Sequence, residues 1–346
     1  FLFVFIFLFV FLFLLFVCFV RLEMDNYDEE TRVTEVVLSG LVALKIIKHC
    51  KENIPELVTG QLLGLDNHEI LEVTNCFPSQ SDSEEGDVSP EDYQIEMMRH
   101  LRAVNVDSNT VGWYQSTYLG SFMNLSLVES QFHHQAQIGK CVVVVYDSAR
   151  STNGQLSLQA FRLSSSFMKL YKEQDFSPAT LSASGKTHAD VFEEIPIKIQ
   201  NSSLSNALLY ELESRGATKP EAQRLEMTNS QLLEKNMEFM IEWSEELISE
   251  QNKLQYHYRA VQRQQQAQSK WLAERKQVNA NRRRKGQEEL PEKGDESDPV
   301  WKPIPPPSQL DSILINNQIQ YYCDQGNQLF GASLDKHMIA NGLSKK

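Results

Sequence analysis

Residues 112–118 of this chain read GWYQSTY, and they are its most informative stretch. The run VGWY at 111–114 predicts a β-strand, because aromatic and β-branched residues favour extended backbone. Downstream, CVVVVY at 141–146 is apolar throughout. Such a run predicts a central strand that is covered on both faces.

Further elements follow on both sides of these two strands. Short runs rich in β-branched residues predict strands, and apolar residues at helical spacing predict helices. Strands are predicted at 33–38, 58–65, 68–77, 156–163 and 195–199, and helices at 40–48, from Ser89 to Leu101, and at 203–212. Helices and strands that alternate in this way predict an α/β domain.

Composition excludes several classes of protein. The chain has 346 residues and a net charge of −13, which argues against a nucleic-acid-binding surface over the whole molecule but not against a local basic patch. Its five cysteines are scattered without a C-x-x-C pair. That usage is typical of a reducing compartment, and it excludes a disulfide scaffold or a zinc ribbon.

Residues 1–20 contain only Phe, Leu, Val, Ile and one Cys. They are long enough to cross a membrane, with Arg21 as a flank. However, the stretch has no initial Met, no basic region and no small-residue cleavage site, so it is a poor signal peptide. Its residues share codons with U at the second position, and Met24 begins a hydrophilic segment. We favour a gene-model artefact over a hydrophobic leader for residues 1–23.

Residues 222–285 contain no glycine and no proline, and they predict a long amphipathic helix. A first seam of apolar residues recurs every seven positions, and Met237 and Tyr258 occupy the complementary seam, which Ser244 and Gln251 interrupt. An imperfect heptad of this kind suits bundling with other helices, while packing onto its own domain is the alternative. The first seam consists of Leu233, Met240, Leu247, Leu254 and Val261.

The end of this helix is basic. Two interpretations stay open: contact with RNA phosphates, or cations that favour the helix dipole and remain solvated. We favour the second, since no aromatic residues interleave with the arginines as a stacking platform would require. The cations are Arg275, Lys276, Arg282, Arg283, Arg284 and Lys285.

The GWYQSTY stretch resembles the MPN (JAMM) domain family, whose active members are zinc isopeptidases with a GWYHSHP-like run. Further stretches, among them GQLLG at 60–64 and ILEVTNCFP at 70–78, narrow the resemblance to MPN subunits of eukaryotic translation initiation factor three. The resemblance implies a cytidine-deaminase-like mixed β-sheet flanked by helices and followed by long C-terminal helices. It places the MPN domain at 32–200, a helical region for subunit bundling at 201–285, a Pro-rich charged linker at 286–310 and a C-terminal helix at 311–346.

The family's metal ligands are replaced in this chain. The two histidine positions fall on Gln115 and Thr117, the ligand carboxylate falls on Glu129 with the spacing one residue longer, and the general base falls on Glu56, also one residue out of step. A catalytic zinc needs three protein ligands and an open position for water. We therefore expect no zinc, no other cofactor and no catalysis.

His133 and His134 are the alternative ligands nearest to Glu129. Adjacent residues on a helix point about 100° apart, so both imidazoles cannot easily face one metal. We expect them to be surface or interface histidines.

The resemblance implies a non-catalytic scaffold in the cytoplasm, without a small-molecule substrate, and without a membrane if residues 1–23 are an artefact. The implied partners are the other MPN protein of the same factor (its f subunit), the PCI subunits, the 40S ribosomal subunit and, indirectly, mRNA. A scaffold of the proteasome lid or the COP9 signalosome is the nearest alternative, and a zinc deubiquitinase and a membrane-anchored protein are more distant ones.

Overall fold

A computed structural model describes residues 32–79, 90–152, 156–174, 176–178, 180–181, 187–215, 230–284, 301–302 and 304–344. The hydrophobic stretch at 1–23 and most of the predicted linker at 286–310 lie outside the described residues.

Eight strands form one mixed sheet in the order β7-β6-β5-β4-β2-β3-β1-β8. The pairs β1–β3, β1–β8 and β4–β5 are parallel and the other four are antiparallel, which confirms the mixed sheet that the resemblance implies. The strands are β1 Glu35–Ser39, β2 Thr59–Asn67, β3 Ile70–Pro78, β4 Thr110–Thr117, β5 Val142–Asp147, β6 Leu158–Leu163, β7 Phe192–Ile195 and β8 Ile197–Gln200.

Helices flank the sheet, and two long helices follow it, as expected. The short helices after β5 and β6 and the helix at Leu125–Gln137 were not among the predicted elements. The helices are α1 Gly40–Glu52, α2 Pro90–Ala103, α3 Leu125–Gln137, α4 Ser148–Thr152, α5 Ser165–Glu173, α6 Ser203–Arg215, α7 Ser230–Arg284 and α8 Leu310–Ser344.

The strand predicted at 195–199 is divided in two by Pro196. Proline has no N–H to donate to a neighbouring strand, so it marks a strand end. Ile195 before it pairs with Ala160 of β6, whereas Ile197 after it pairs with Val36 of β1. Because β7 and β8 stand at opposite ends of the strand order and one residue joins them, the sheet curls until its two ends meet.

The prediction that the apolar run at 141–146 is covered on both faces is confirmed. Val142, Val144 and Tyr146 pack in one core cluster with residues of α1, while Val143 and Val145 pack in a second cluster on the opposite face. All six residues of β5 are buried. Burial of each such aliphatic side chain contributes about 1.5–3 kcal/mol, so β5 is the structural centre of the domain.

Helices α7 and α8 pack against each other in antiparallel orientation. The Asn236 side chain donates a hydrogen bond of 3.4 Å to the Tyr322 carbonyl, and the ring of Phe239 stacks on Tyr322 with centroids 6.3 Å apart. At the other end of the contact Lys253 lies beside Asp311. The residue numbers of α8 therefore fall as those of α7 rise.

The second seam of α7 differs from the predicted one. The first seam is half-buried as a helix contact requires, but Met237 and Tyr258 are 52% and 54% exposed. The covered positions lie one residue earlier, at the buried Asn236 and the half-buried Trp243, Glu250 and His257. In a heptad, the second seam can lie either three or four residues after the first. Here α8 packs on the side three residues after the first seam, at Asn236, and not on the side four residues after it, at Met237.

We expect Gly64→Ala to destabilise the sheet. Gly64 stands where the β2–β3 register shifts, and a Cβ there would lie 1.9 Å from the Glu72 carbonyl oxygen. Relief of that clash requires backbone movement, which we expect to cost about 2–3 kcal/mol in the free energy of unfolding. Urea unfolding measures the loss.

Gly326→Ala is the matched control for this prediction. Gly326 lies within α8, and a Cβ there would meet nothing within 4 Å. Since alanine is the better helix former by about 1 kcal/mol, this variant should be neutral or slightly more stable. Equal losses for the two variants would contradict the assigned strand register.

Candidate functional site

The GWYQSTY motif forms the carboxyl end of β4, and its polar residues are buried. Side chains alternate along a strand, so Gln115 and Thr117 face the same side of the sheet while Ser116 faces the other. Ser116 Oγ accepts a hydrogen bond of 2.8 Å from the Val58 N–H. The two positions that carry histidine in active MPN enzymes therefore share one face, but here they present a carboxamide and a hydroxyl.

Asp147 lies next to these residues, because β4 and β5 run parallel and Thr117 pairs with Asp147. Its Oδ1 accepts backbone hydrogen bonds from Leu119, Ala149 and Arg150 at 3.3, 3.0 and 3.2 Å. Burial raises the pKa of Asp147, and these hydrogen bonds oppose the shift. Within the described residues, Asp147 Oδ2 and Thr117 Oγ1 have no hydrogen-bond partner. Asp147 was not predicted as a site residue, and its only signal in the sequence is its position directly after the apolar run at 141–146.

Glu129 does not lie beside Gln115, Thr117 and Asp147. Glu129 is exposed on α3 and lies beside Tyr171, whose pKa is raised by burial and by this carboxylate. The residue at the unshifted spacing is Val128, which is fully buried in an apolar cluster with Leu163 and Phe167. Residues of α3 therefore supply an apolar contact where the family pattern has a carboxylate.

Glu56 also lies outside the buried site, on the exposed loop between α1 and β2. The loop joins β2 at Thr59, which pairs with Gln115. This connection places Glu56 near the end of β4, but its side chain is exposed to solvent.

His133 and His134 point in different directions, as the helical geometry predicts. His134 stacks on Trp113, with ring centroids 5.9 Å apart, and burial lowers its pKa. His133 is exposed. Across the described ranges of the chain, no three His, Cys, Asp or Glu side chains are grouped as a metal site requires.

The loop that follows the motif is bound by the chain's own C-terminal helix. Gln318 of α8 is fully buried; its Nε2 donates to the Gly120 carbonyl at 2.7 Å and its Oε1 accepts from the Met123 N–H at 3.1 Å. Gly120 has a φ of +76°, and a Cβ there would lie 2.4 Å from Gln325 Nε2. A glycine is therefore required both by the backbone and by the close approach of α8.

Aromatic contacts extend this docking. Tyr321 of α8 packs edge-on against Phe122 with centroids 5.3 Å apart, and its hydroxyl donates to Gln159. Lys235 of α7 donates a hydrogen bond of 2.8 Å to the Tyr118 hydroxyl and lies 5.5 Å from the ring centroid. Tyr118 stands where the active pattern has proline. Residues 118–123 are thus a docking surface for both C-terminal helices, and we refer to them as the docking loop.

We expect Gln318→Ala to loosen this docking. The substitution leaves the Met123 N–H without its buried partner, which costs about 1–3 kcal/mol, while the Gly120 carbonyl keeps the hydrogen bond from the Phe122 N–H. The free energy of unfolding should fall by about 1–3 kcal/mol in urea titrations.

Gln255→Ala serves as the control for the Gln318 variant, because it removes the same carboxamide from an exposed position of α7. It should change stability by less than about 0.5 kcal/mol. A Gln318→Ala variant as stable as this control would mean that the amide does not hold α8 on the docking loop.

Within the parts of the chain that the structure describes, no helix combines the length and the apolar character needed to span a bilayer.

Comparisons with known proteins agree with this arrangement. A family model described as JAB1/Mov34/MPN/PAD-1 ubiquitin protease matches residues 31–139, and one described as the C-terminal region of eIF3h matches residues 151–346. The chain is similar to the H subunit of eukaryotic translation initiation factor 3 from Arabidopsis thaliana, with 46% identity over 89% of this chain and 92% of the relative. It is 45% identical to the H subunit from Dictyostelium discoideum, over 91% of this chain and 96% of the relative.

A third relative, the H subunit from Nematostella vectensis, is 43% identical over 90% of this chain and 94% of the relative. Together, the MPN-type sheet, the docked C-terminal helices and the family matches along both parts of the chain lead to one conclusion. The chain belongs to the family of H subunits of eukaryotic translation initiation factor 3.

Proposed function

We propose that this chain is a non-catalytic scaffold subunit of the translation initiation factor 3 complex. One observation carries the proposal: α7 and α8 dock on the loop directly after Gln115 and Thr117, at the strand end where active MPN enzymes hold zinc. Family membership supports the assignment to the initiation factor 3 complex. The docking of α7 and α8 supports the scaffold role.

The chemistry of the site supports the absence of catalysis. Zinc in a hydrolytic site is held by imidazole, thiolate or carboxylate, whereas Gln115 and Thr117 offer a neutral amide oxygen and a hydroxyl. Without a bound metal, no water is acidified for attack on an isopeptide bond. Glu56, the position of the general base, then has no metal-bound water to deprotonate.

Exposed apolar residues on the C-terminal helices support assembly with other subunits. Phe330, Leu334 and Met338 form a stripe along α8 at four-residue spacing, each more than 60% exposed. Met237, Ile241 and Ile248 are also exposed on α7. Contiguous apolar surface of this kind is rare on monomers and marks protein interfaces.

The seam residues predicted from sequence take two roles in this proposal. Leu233, Met240, Leu247, Leu254 and Val261 are half-buried, so they position α7 within the chain and contribute only their exposed edges to partners. The exposed Met237 and Tyr258 are available for contact with another helix.

The proposal also includes specific expectations about binding partners and location. They are pairing of the MPN domain with that of the f subunit, bundling of the C-terminal helices with PCI subunits, association with the 40S ribosomal subunit, indirect action on mRNA, and a cytoplasmic location.

The complex is tested by mass spectrometry of proteins that co-purify with a C-terminally tagged chain. We expect other initiation factor 3 subunits and 40S proteins. Phe330→Glu with Leu334→Glu should lose partner subunits, because the charges disrupt the exposed stripe of α8. Gln251→Glu with Gln255→Glu adds equal charge without removing apolar contact and should retain them.

Recovery of proteasome lid or signalosome subunits instead would refute the named complex. The same sample shows whether the chain begins at Met24 or includes residues 1–23, from its N-terminal peptide.

The absence of catalysis is tested by zinc content and by cleavage of isopeptide-linked diubiquitin. We expect neither bound zinc nor cleavage of diubiquitin for the unaltered chain. Gln115→His with Thr117→His should still fail to hold zinc, because Val128 occupies the carboxylate position and α8 covers the docking loop. Stoichiometric zinc in the unaltered chain, or cleavage that a chelator abolishes, would overturn the proposal.

A further inference from the structure

The two halves of α7 carry opposite charge. Residues 230–250 contain six glutamates and one lysine, whereas residues 259–284 contain eight lysines and arginines and one glutamate. The positive half belongs to a chain whose net charge is −13. Such a local concentration of cations on an acidic protein points to a partner that is strongly anionic.

Three of the cations lie on one face of the helix. Arg259, Arg263 and Lys270 are all exposed, and at about 100° per residue they fall within a sector roughly 40° wide, which Arg284 continues. The half-buried Gln268 and the buried Asn279 lie on the opposite side. We call Arg259, Arg263, Lys270 and Arg284 the basic stripe; it runs for about 37 Å at 1.5 Å per residue.

The helix dipole does not account for the basic stripe. Favourable interaction between cations and the dipole is confined to about the last turn of a helix. Arg284 lies there, but Arg259 and Lys270 precede the end of α7 by 25 and 14 positions. The dipole interpretation therefore covers Arg284 and not Arg259, Arg263 or Lys270.

Nor does pairing within the described residues neutralise these cations. Arg259, Arg263 and Lys270 form no ion pair there, in contrast to Lys253, whose Nζ lies 2.5 Å from Glu250 Oε1. Their charges face solvent, where an incoming anion can reach them.

The surroundings of the basic stripe favour a nucleic acid over an acidic protein. Between Arg259 and Arg284, Val278 alone among the large apolar side chains of α7 is exposed, whereas protein interfaces depend on several apolar and aromatic anchors. The exposed neighbours Gln262, Gln265 and Gln266 are amides, which donate to phosphate and sugar oxygens.

The nucleic acid that fits is double-stranded. Binding of single strands requires exposed aromatic rings for stacking. Trp271 does interleave with the cations, contrary to the sequence analysis, but its ring is covered by Arg275 at 4.9 Å and by Trp301 at a centroid distance of 5.5 Å. Tyr256 and Tyr258 are exposed directly before Arg259, but between Arg259 and Arg284 no exposed aromatic ring accompanies the cations, as stacking along a single strand would require. A straight row of cations and amides of this kind suits the phosphates and 2′-hydroxyls of a helix.

We propose that the basic stripe of α7 binds the phosphate backbone of double-stranded RNA. The inference rests on the proposed function only for the source of that RNA, since a protein that works on the ribosome meets RNA helices. The contact itself is a property of the isolated chain.

Fluorescence anisotropy of the full chain with a labelled RNA duplex of roughly 20 base pairs, at several salt concentrations, tests the proposal. Arg259→Gln, Arg263→Gln and Lys270→Gln together should weaken binding by about tenfold or more and reduce the slope of log affinity against log salt by roughly 2 to 3. Glutamine preserves helix propensity, and circular dichroism checks the fold.

The matched control neutralises three exposed lysines elsewhere, at Lys48, Lys51 and Lys172, and so changes the net charge equally. Its affinity and salt slope should equal those of the unaltered chain. If both triple variants lost the same affinity, net charge alone would explain the effect, and the proposal would be overturned.

Two other results would also overturn it: an unaltered chain that does not bind the duplex, and one that binds an acidic peptide through these residues but not RNA. Neither result touches the proposed scaffold role, which the co-purification experiment decides separately.

Discussion

The buried carboxamide of Gln318 fastens the C-terminal helices to the sheet. A buried amide must find partners for its donor and its acceptor, and Gln318 finds both on the docking loop, at Gly120 and Met123. These two backbone groups lie in the loop that directly follows β4, so they tie α8 to the end of that strand. Packing of Phe239 on Tyr322 then helps to position α7. The orientation of the long helices therefore depends on Gln318 together with the aromatic contacts of Tyr321 and Tyr322.

This docking and a zinc site compete for the same strand end. A hydrolytic metal site keeps one coordination position open to water and substrate. Here the carboxyl ends of β4 and β5 carry Thr117 and the buried Asp147, whose carboxylate is bound to three backbone N–H groups, and α8 packs on the loop beyond. With Gln115 and Thr117 in the expected histidine positions, we infer that this surface serves structural packing.

The long helix α7 combines two kinds of surface. Its N-terminal half is acidic and exposes Met237, Ile241 and Ile248, while its C-terminal half is basic and exposes amides. Apolar surface gains free energy by burial against protein, whereas a row of cations gains it by release of counterions from phosphates. Separation along one rigid helix lets both contacts be made at once.

The sequence by itself determined most of the fold and the loss of the ligands. The apolar run at 141–146 predicted a doubly covered strand, and the presence of Gln115 and Thr117 in the histidine positions is a matter of residue identity alone. Local periodicity could not determine which seam of α7 is used, since spacings of three and four both satisfy a heptad, nor the division of the strand at Pro196. Gln318, Asp147 and the docking loop became evident only from the tertiary structure, because their roles depend on contacts such as that between residues 120 and 318, far apart in the chain. Tertiary packing also decided that Arg259, Arg263 and Lys270 face outward, opposite the side of α7 that is half-buried.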